Sequence, residues 1–125
     1  MYSISLSRVE VAVLIFHMNI MRKNVKKVFK KNYGKEDGKE LLSYYDKSLD
    51  KLADLLESVK EGEEGSLDMD EKEMNVLSSF VSWYALELEL TLDQADSKKN
   101  EDEAQLQALK DILEKLEQEK EEHED

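Results

Sequence analysis

Apolar side chains recur at alternating steps of three and four along most of this chain, the spacing that lines one face of an α-helix. Val11, Leu14, Met18, Met21, Val25 and Val28 form the first such stripe and predict a helix from about Arg8 to Tyr33. Gly34 supplies its stop, and the lysines of its last turns suit the negative end of the helix dipole. Leu42, Tyr45, Leu49, Leu52, Leu56 and Val59 predict a second helix from about Gly38 to Glu61. Gly62 and Gly65 mark an acid-rich loop from Glu61 to Asp70. Met74, Leu77, Val81, Tyr84, Leu88 and Ala95 predict a third helix from about Glu71 to Ala95. Leu106, Leu109, Leu113 and Leu116 predict a fourth from about Glu101 to Glu117, and the acidic remainder, 118–125, reads as a frayed tail. Each segment opens on a cap-type residue with Glu three positions on: Ser7 with Glu10, Asp37 with Glu40, Asp70 with Glu73, Asn100 with Glu103. That pairing satisfies the orphan amides of a first turn.

One stretch follows a different period. Leu86, Leu88, Leu90 and Leu92 alternate with polar residues, as do Tyr2, Ile4 and Leu6 at the N-terminus, so a small two-strand pairing is conceivable. Helix is preferred for 86–92, because Leu and Glu form helices well and β-branched residues are nearly absent there. Short connections favour antiparallel neighbours. The expected fold is therefore all-α, an antiparallel up-down four-helix bundle over 1–117 with the acidic tail 118–125 behind it. There is no internal repeat and no second domain.

Two helices carry more apolar surface than one seam needs. Val9, Val13, Phe16 and Ile20 form a second stripe on helix 1, and Val76, Phe80, Trp83 and Leu90 form one on helix 3. The plain reading is that a bundle helix touches two neighbours and wants a wide stripe. The sharper one makes Phe16, Ile20, Phe80 and Trp83 a partner surface, or a homodimer contact through helices 1 and 3.

Composition removes most chemistry. The 125 residues include no proline, against about 5% in average proteins, which agrees with helix nearly throughout. The absence of cysteine leaves no disulfide, no thiolate metal site and no thiol nucleophile. A ferritin-like dimetal centre needs Glu-x-x-His on two helices, but Leu14 precedes His17 and Lys120 precedes His123 at that spacing. No phosphate-binding glycine loop is present. Asp68 and Asp70 begin like a calcium loop, which Glu73 in place of Gly and Ser79 in place of Glu then break. No catalytic residue and no cofactor is expected. The apolar run 11–16 lacks a preceding basic region and is too short to span a bilayer, which points to the cytoplasm.

Charge changes the picture more. The net charge is −12, but residues 1–35 carry eight basic groups and one acid while 36–125 carry ten basic groups and 29 acids. Arg22, Lys23, Lys26, Lys27, Lys30 and Lys31 form a basic patch on helix 1, a candidate for nucleic acid or a membrane surface. Those two partners are disfavoured for the rest of the chain. Asp46, Asp50, Asp54, Glu57 and Glu61 recur every three or four residues and predict an acidic ridge on helix 2, with Asp111, Glu114, Glu117, Glu121 and Glu124 in similar register further on. Such a ridge could dock a basic protein, as an inhibitor, an antitoxin or a DNA mimic would. A solvated face that offsets opposite charge elsewhere is the plain reading of both. Capped amphipathic helices, surplus apolar stripes and missing catalytic apparatus together predict a non-enzymatic helical module that binds another protein.

Overall fold

A computed structural model describes residues 1–94 and 100–123, with the side chain of Asn100 outside that set. It contains β1 (Tyr2–Ser7), α1 (Arg8–Tyr33), α2 (Lys35–Ser58), β2 (Glu64–Met69), α3 (Glu71–Gln94) and α4 (Asn100–His123). The molecule is mostly helical, with a small antiparallel sheet of β1 and β2.

Helix α1 has the expected bounds, and its cap explains the start. Ser7 accepts from Glu10 N at 3.1 Å, and Glu10 Oε1 accepts from Ser7 N at 2.9 Å, so two orphan amides are satisfied reciprocally. The pair Asp70 and Glu73 does the same for α3, at 2.8 and 3.2 Å. Asp37 does not cap α2. Gly34, at φ 87°, both ends α1 and starts α2, so α2 begins at Lys35 with Asp37 already in its first turn. A single residue in that left-handed region turns the chain, which glycine tolerates best. Helix α2 stops at Ser58, short of Glu61. The expected cap at Asn100 rests on a side chain outside the described residues, and Ala95, Glu124 and Asp125 lie outside them as well.

The acid-rich loop is a strand over Glu64–Met69. Ile4 pairs with Leu67 and Tyr2 with Met69, so β1 finds its partner here, while 86–92 is helix within α3. Ile4, Leu6, Leu67 and Met69 point into the core and Ser3, Ser5, Ser66 and Asp68 point out, the period of two expected of a half-buried sheet. Ser3 and Ser66 hydroxyls donate to Asp68 Oδ1 at 2.6 and 2.9 Å and hold that carboxyl below its ordinary range. Opposite Leu6 stands Gly65, where any Cβ would run into Val59 and Leu55 at the end of α2.

The core gathers these sheet residues with Val11, Leu14 and Met18 of α1, Tyr45 and Leu52 of α2, Met74, Leu77 and Val81 of α3, and Leu109, Ile112 and Leu116 of α4. Burial of each such side chain is worth about 1.5–3 kcal/mol. Fully buried Tyr45 donates from its hydroxyl to Met18 O at 2.6 Å, and burial raises its phenol pKa well above the usual tyrosine range. Lys51 joins three elements, reaching Asp68 O at 2.9 Å and both carboxylate oxygens of Glu73 at 3.0 and 2.8 Å.

Helix α4 runs on to His123, past the expected end at Glu117. The chain beyond Glu117 has something to dock on: Glu119 Oε1 accepts from Ser3 N at 3.0 Å, and the Tyr2 and His123 rings stand 4.3 Å apart. The strand edge that sequence periodicity left without a neighbour holds this acidic turn in place.

Candidate interaction surface

Three of the four proposed apolar contact residues reach solvent. Phe16 is 55% exposed, Ile20 54% and Trp83 41%, while Phe80 is 5% exposed and belongs to the core. Phe80 meets Tyr45 edge-on at 5.4 Å and stacks on Tyr84 at 5.5 Å and 11°, so its ring closes the interior rather than presenting a contact. Its position three residues before Trp83 put it on the same stripe in sequence. The helix rotates it inward.

Phe80 instead floors a groove of about 280 Å³ between the C-terminal half of α1 and α3, with Val25, Val28, Phe29, Tyr33 and Trp83 around it. Val28 and Tyr33 are exposed, and sequence reading missed both as surface residues. On α3, Trp83, Leu86 and Leu90 follow each other at steps of three and four, all exposed. This is an apolar stripe turned to solvent.

The charged candidates divide. Asp46 accepts from Arg22 through two parallel bonds, Nε at 2.8 Å and a terminal nitrogen at 2.7 Å, so one member of each proposed patch neutralises the other. The hydrogen bond and charge of Asp46 raise the Arg22 pKa further. Asp50, Asp54 and Glu57 are exposed on α2 with no ion pair to a described residue, whereas Glu61 sits in the turn beyond the helix and is not part of the ridge. Lys23, Lys26, Lys27, Lys30 and Lys31 are exposed and likewise without an ion pair among the described residues. Lys26 and Lys30 face Lys35 and Lys39 of α2 across a cleft of about 110 Å³ with Gly38 and Leu42 at its base. Lys35 and Lys39 became part of the basic patch only when the helices paired. Two lysine pairs at i, i+4 on either side of one glycine were the signal available.

His17 is buried and tied to two helices. Gln105 Oε1 accepts from its Nε2–H at 2.7 Å and Tyr84 OH donates to its Nδ1 at 2.8 Å, a geometry that fixes the neutral tautomer. Desolvation lowers its pKa against the raising effect of Gln105, and burial raises that of Tyr84. No helix among the described residues is long and apolar enough to cross a membrane. No protein-family model, no curated protein and no solved structure matches the chain.

Proposed function

We propose that this chain is a non-enzymatic helical interaction module, a regulatory or inhibitory adaptor, that receives an apolar segment of another protein in the groove between α1 and α3. One observation carries this reading: Val28, Tyr33 and Trp83 remain exposed around a groove whose floor, Phe80, is already packed. A folded chain that leaves bulky apolar side chains clustered at a concave site supplies what a partner's anchor residue needs. Within the same reading the four helices form an up-down bundle of two hairpins. Contacts that run in opposite directions support it, Arg22 to Asp46 and Arg8 to Val59 in the first, and in the second Glu89 pairs with Lys110 while Leu86 and Glu117 line one surface hollow. A cytoplasmic location is proposed with it.

The exposed acids Asp50, Asp54 and Glu57 favour a second reading, an inhibitor that docks a basic nucleic-acid-binding protein. Partner capture separates the two. Material retained by the wild type and lost with Val28→Ser plus Trp83→Ser supports the groove, whereas loss with Asp50→Lys plus Asp54→Lys supports the ridge. Trp83 is the single tryptophan, so its fluorescence should shift when the groove fills. An unchanged emission spectrum in the complex would refute the groove reading.

A further inference from the structure

The seam between α1 and α2 changes sign along its length. At the turn end Lys26, Lys30, Lys35 and Lys39 surround one cleft. They are brought close because Gly38 has no Cβ, which would stand 3.0 Å from the backbone of Phe29 and Lys30. Mid-seam lies the Arg22–Asp46 pair at 2.7 Å. Past it the seam is lined by Ile15, Asn19, Leu49, Asp50 and Ala53, and Asp54 and Glu57 follow on the exposed side of α2. None of these lysines, nor Asp50, Asp54 or Glu57, has an ion pair with a described residue. Four cations crowded at one end and three carboxylates at the other repel within each group, and no ion pair among the described residues neutralises them.

We infer that this face docks against the same face of a second copy, antiparallel, across a two-fold axis at the Arg22–Asp46 pair. The spacing supplies the argument. On α2 the midpoint between Lys35 and Glu57 is residue 46, and that between Lys39 and Asp54 falls between 46 and 47. A two-fold axis lying across the hairpin there sets Lys35 of one copy beside Glu57 of the other, and Lys39 beside Asp54. An axis along the hairpin would set lysine on lysine, so charge selects the antiparallel arrangement. Phe16 and Ile20, exposed on α1 at the acidic end, then lie toward the lysine stems of α1 in the second copy, which can cover apolar surface. The 24 residues of α2 give a length of about 36 Å, and two helices a width of about 20 Å. That area, about 700 Å² per copy, is close to the ~800 Å² of a standard interface. The contact differs from self-association through helices 1 and 3, leaves the α1–α3 groove open, and does not depend on its occupant.

Analytical ultracentrifugation of the full chain tests it. A dimer is expected at about 0.02 M ionic strength and should dissociate toward 0.5 M, because pairs of this kind are screened over roughly 10 Å or less at physiological salt and above. Lys35→Glu with Lys39→Glu makes the α2 side of this face acidic at both ends, and Asp54→Lys with Glu57→Lys makes it basic at both ends. Each double variant should weaken self-association by more than about 100-fold, since like charges directly opposed disfavour contact strongly. Mixed in equal amounts, the two should form a heterodimer, because both contacts then join opposite charges. All substituted residues are exposed, and circular dichroism checks that each variant keeps its helix. A wild type that stays monomeric at low salt, variants that dimerise as it does, or a mixture that stays monomeric would each overturn the inference.

Discussion

The two halves of α1 treat charge and polarity in opposite ways. In the N-terminal half every ionisable side chain has been given a partner from another element. Glu10 closes the cap and accepts from Lys115 of α4 at 2.7 Å, Arg8 reaches Val59 O at 2.9 Å, and His17 is held by α3 and α4. In the C-terminal half Arg22 has its carboxylate, and five lysines after it have none among the described residues. Helix α4 meets the first half through Gln105 and Lys115, whereas the second half packs through Val25 and the close approach of Gly38 and turns its lysines to solvent. Exposed apolar groups occur in both halves, Val9, Phe16 and Ile20 in the first and Val28 and Tyr33 in the second, but only in the second do they lie among lysines without an ion pair to a described residue. That coincidence makes the turn end and the adjoining groove the place to look for partners.

The difference should be largest in packing. Leu14 is fully buried beneath the first half, and Val28, in the second, is 43% exposed. Leu14→Ala should lower unfolding free energy by about 2–5 kcal/mol, the usual range for a core Leu→Ala truncation. Val28→Ala should cost less than about 1 kcal/mol, because half of its contact area is water already. Urea denaturation followed by circular dichroism measures both. Equal losses would mean that the two halves are equally integral to the fold and would remove the contrast.

Much of the covered half is written in local pattern, and much of the free half is not. The bounds of α1, the Ser7–Glu10 box and the core positions Val11, Leu14 and Met18 follow from spacing within one segment, which is why sequence alone places them. Strand β2 escapes because Gly65, Glu64 and Asp68 depress strand propensity, and the alternation of Leu67 and Met69 is only two residues deep. It forms because β1 offers a partner and both have the core on one side. The inward turn of Phe80, the pairing of Arg22 with Asp46 and the convergence of Lys35 and Lys39 on Lys26 and Lys30 all depend on how helices pair. No period within a single helix encodes that.

A smaller contrast lies in polar groups. Tyr84→Phe removes the donor to His17 Nδ1 and leaves a buried acceptor unmatched, at a cost of about 1–3 kcal/mol. The same site should make stability fall with acid. The folded pKa of His17 lies below its ordinary 6.5, so below that value the unfolded chain takes up the proton first. The stability contributed by the neutral ring is complete above pH 6.5 and is lost as pH drops toward the folded value. His17→Gln should remove that part of the pH slope while the Tyr84 contact changes. A variant whose slope between pH 7 and 5 matches wild type would show that His17 does not titrate as its burial requires.

Lysine against lysine gives the smallest effect and the most direct reading of the contrast. Lys115 of α4, set against the covered half, donates to Glu10 at 2.7 Å and to Ser5 O at 2.7 Å. Lys115→Gln should therefore cost about 1–2 kcal/mol, the value of charged hydrogen bonds in partly buried places. Lys30, in the free half, shares its cleft with three other lysines and no carboxylate. Lys30→Gln should leave stability unchanged or raise it by up to about 0.5 kcal/mol at low salt, because one like-charge repulsion disappears. Salt then discriminates between the two. Screening weakens repulsion among exposed lysines, so the gain from Lys30→Gln should vanish toward about 0.5 M, while most of the loss from Lys115→Gln should persist because its bonds are direct contacts and Glu10 is only 13% exposed. The melts belong at dilute concentration, where association through the seam does not contribute. Destabilisation by Lys30→Gln of the same size as that by Lys115→Gln would place its ammonium in the fold's own service, and the turn end of α1 would no longer count as free surface.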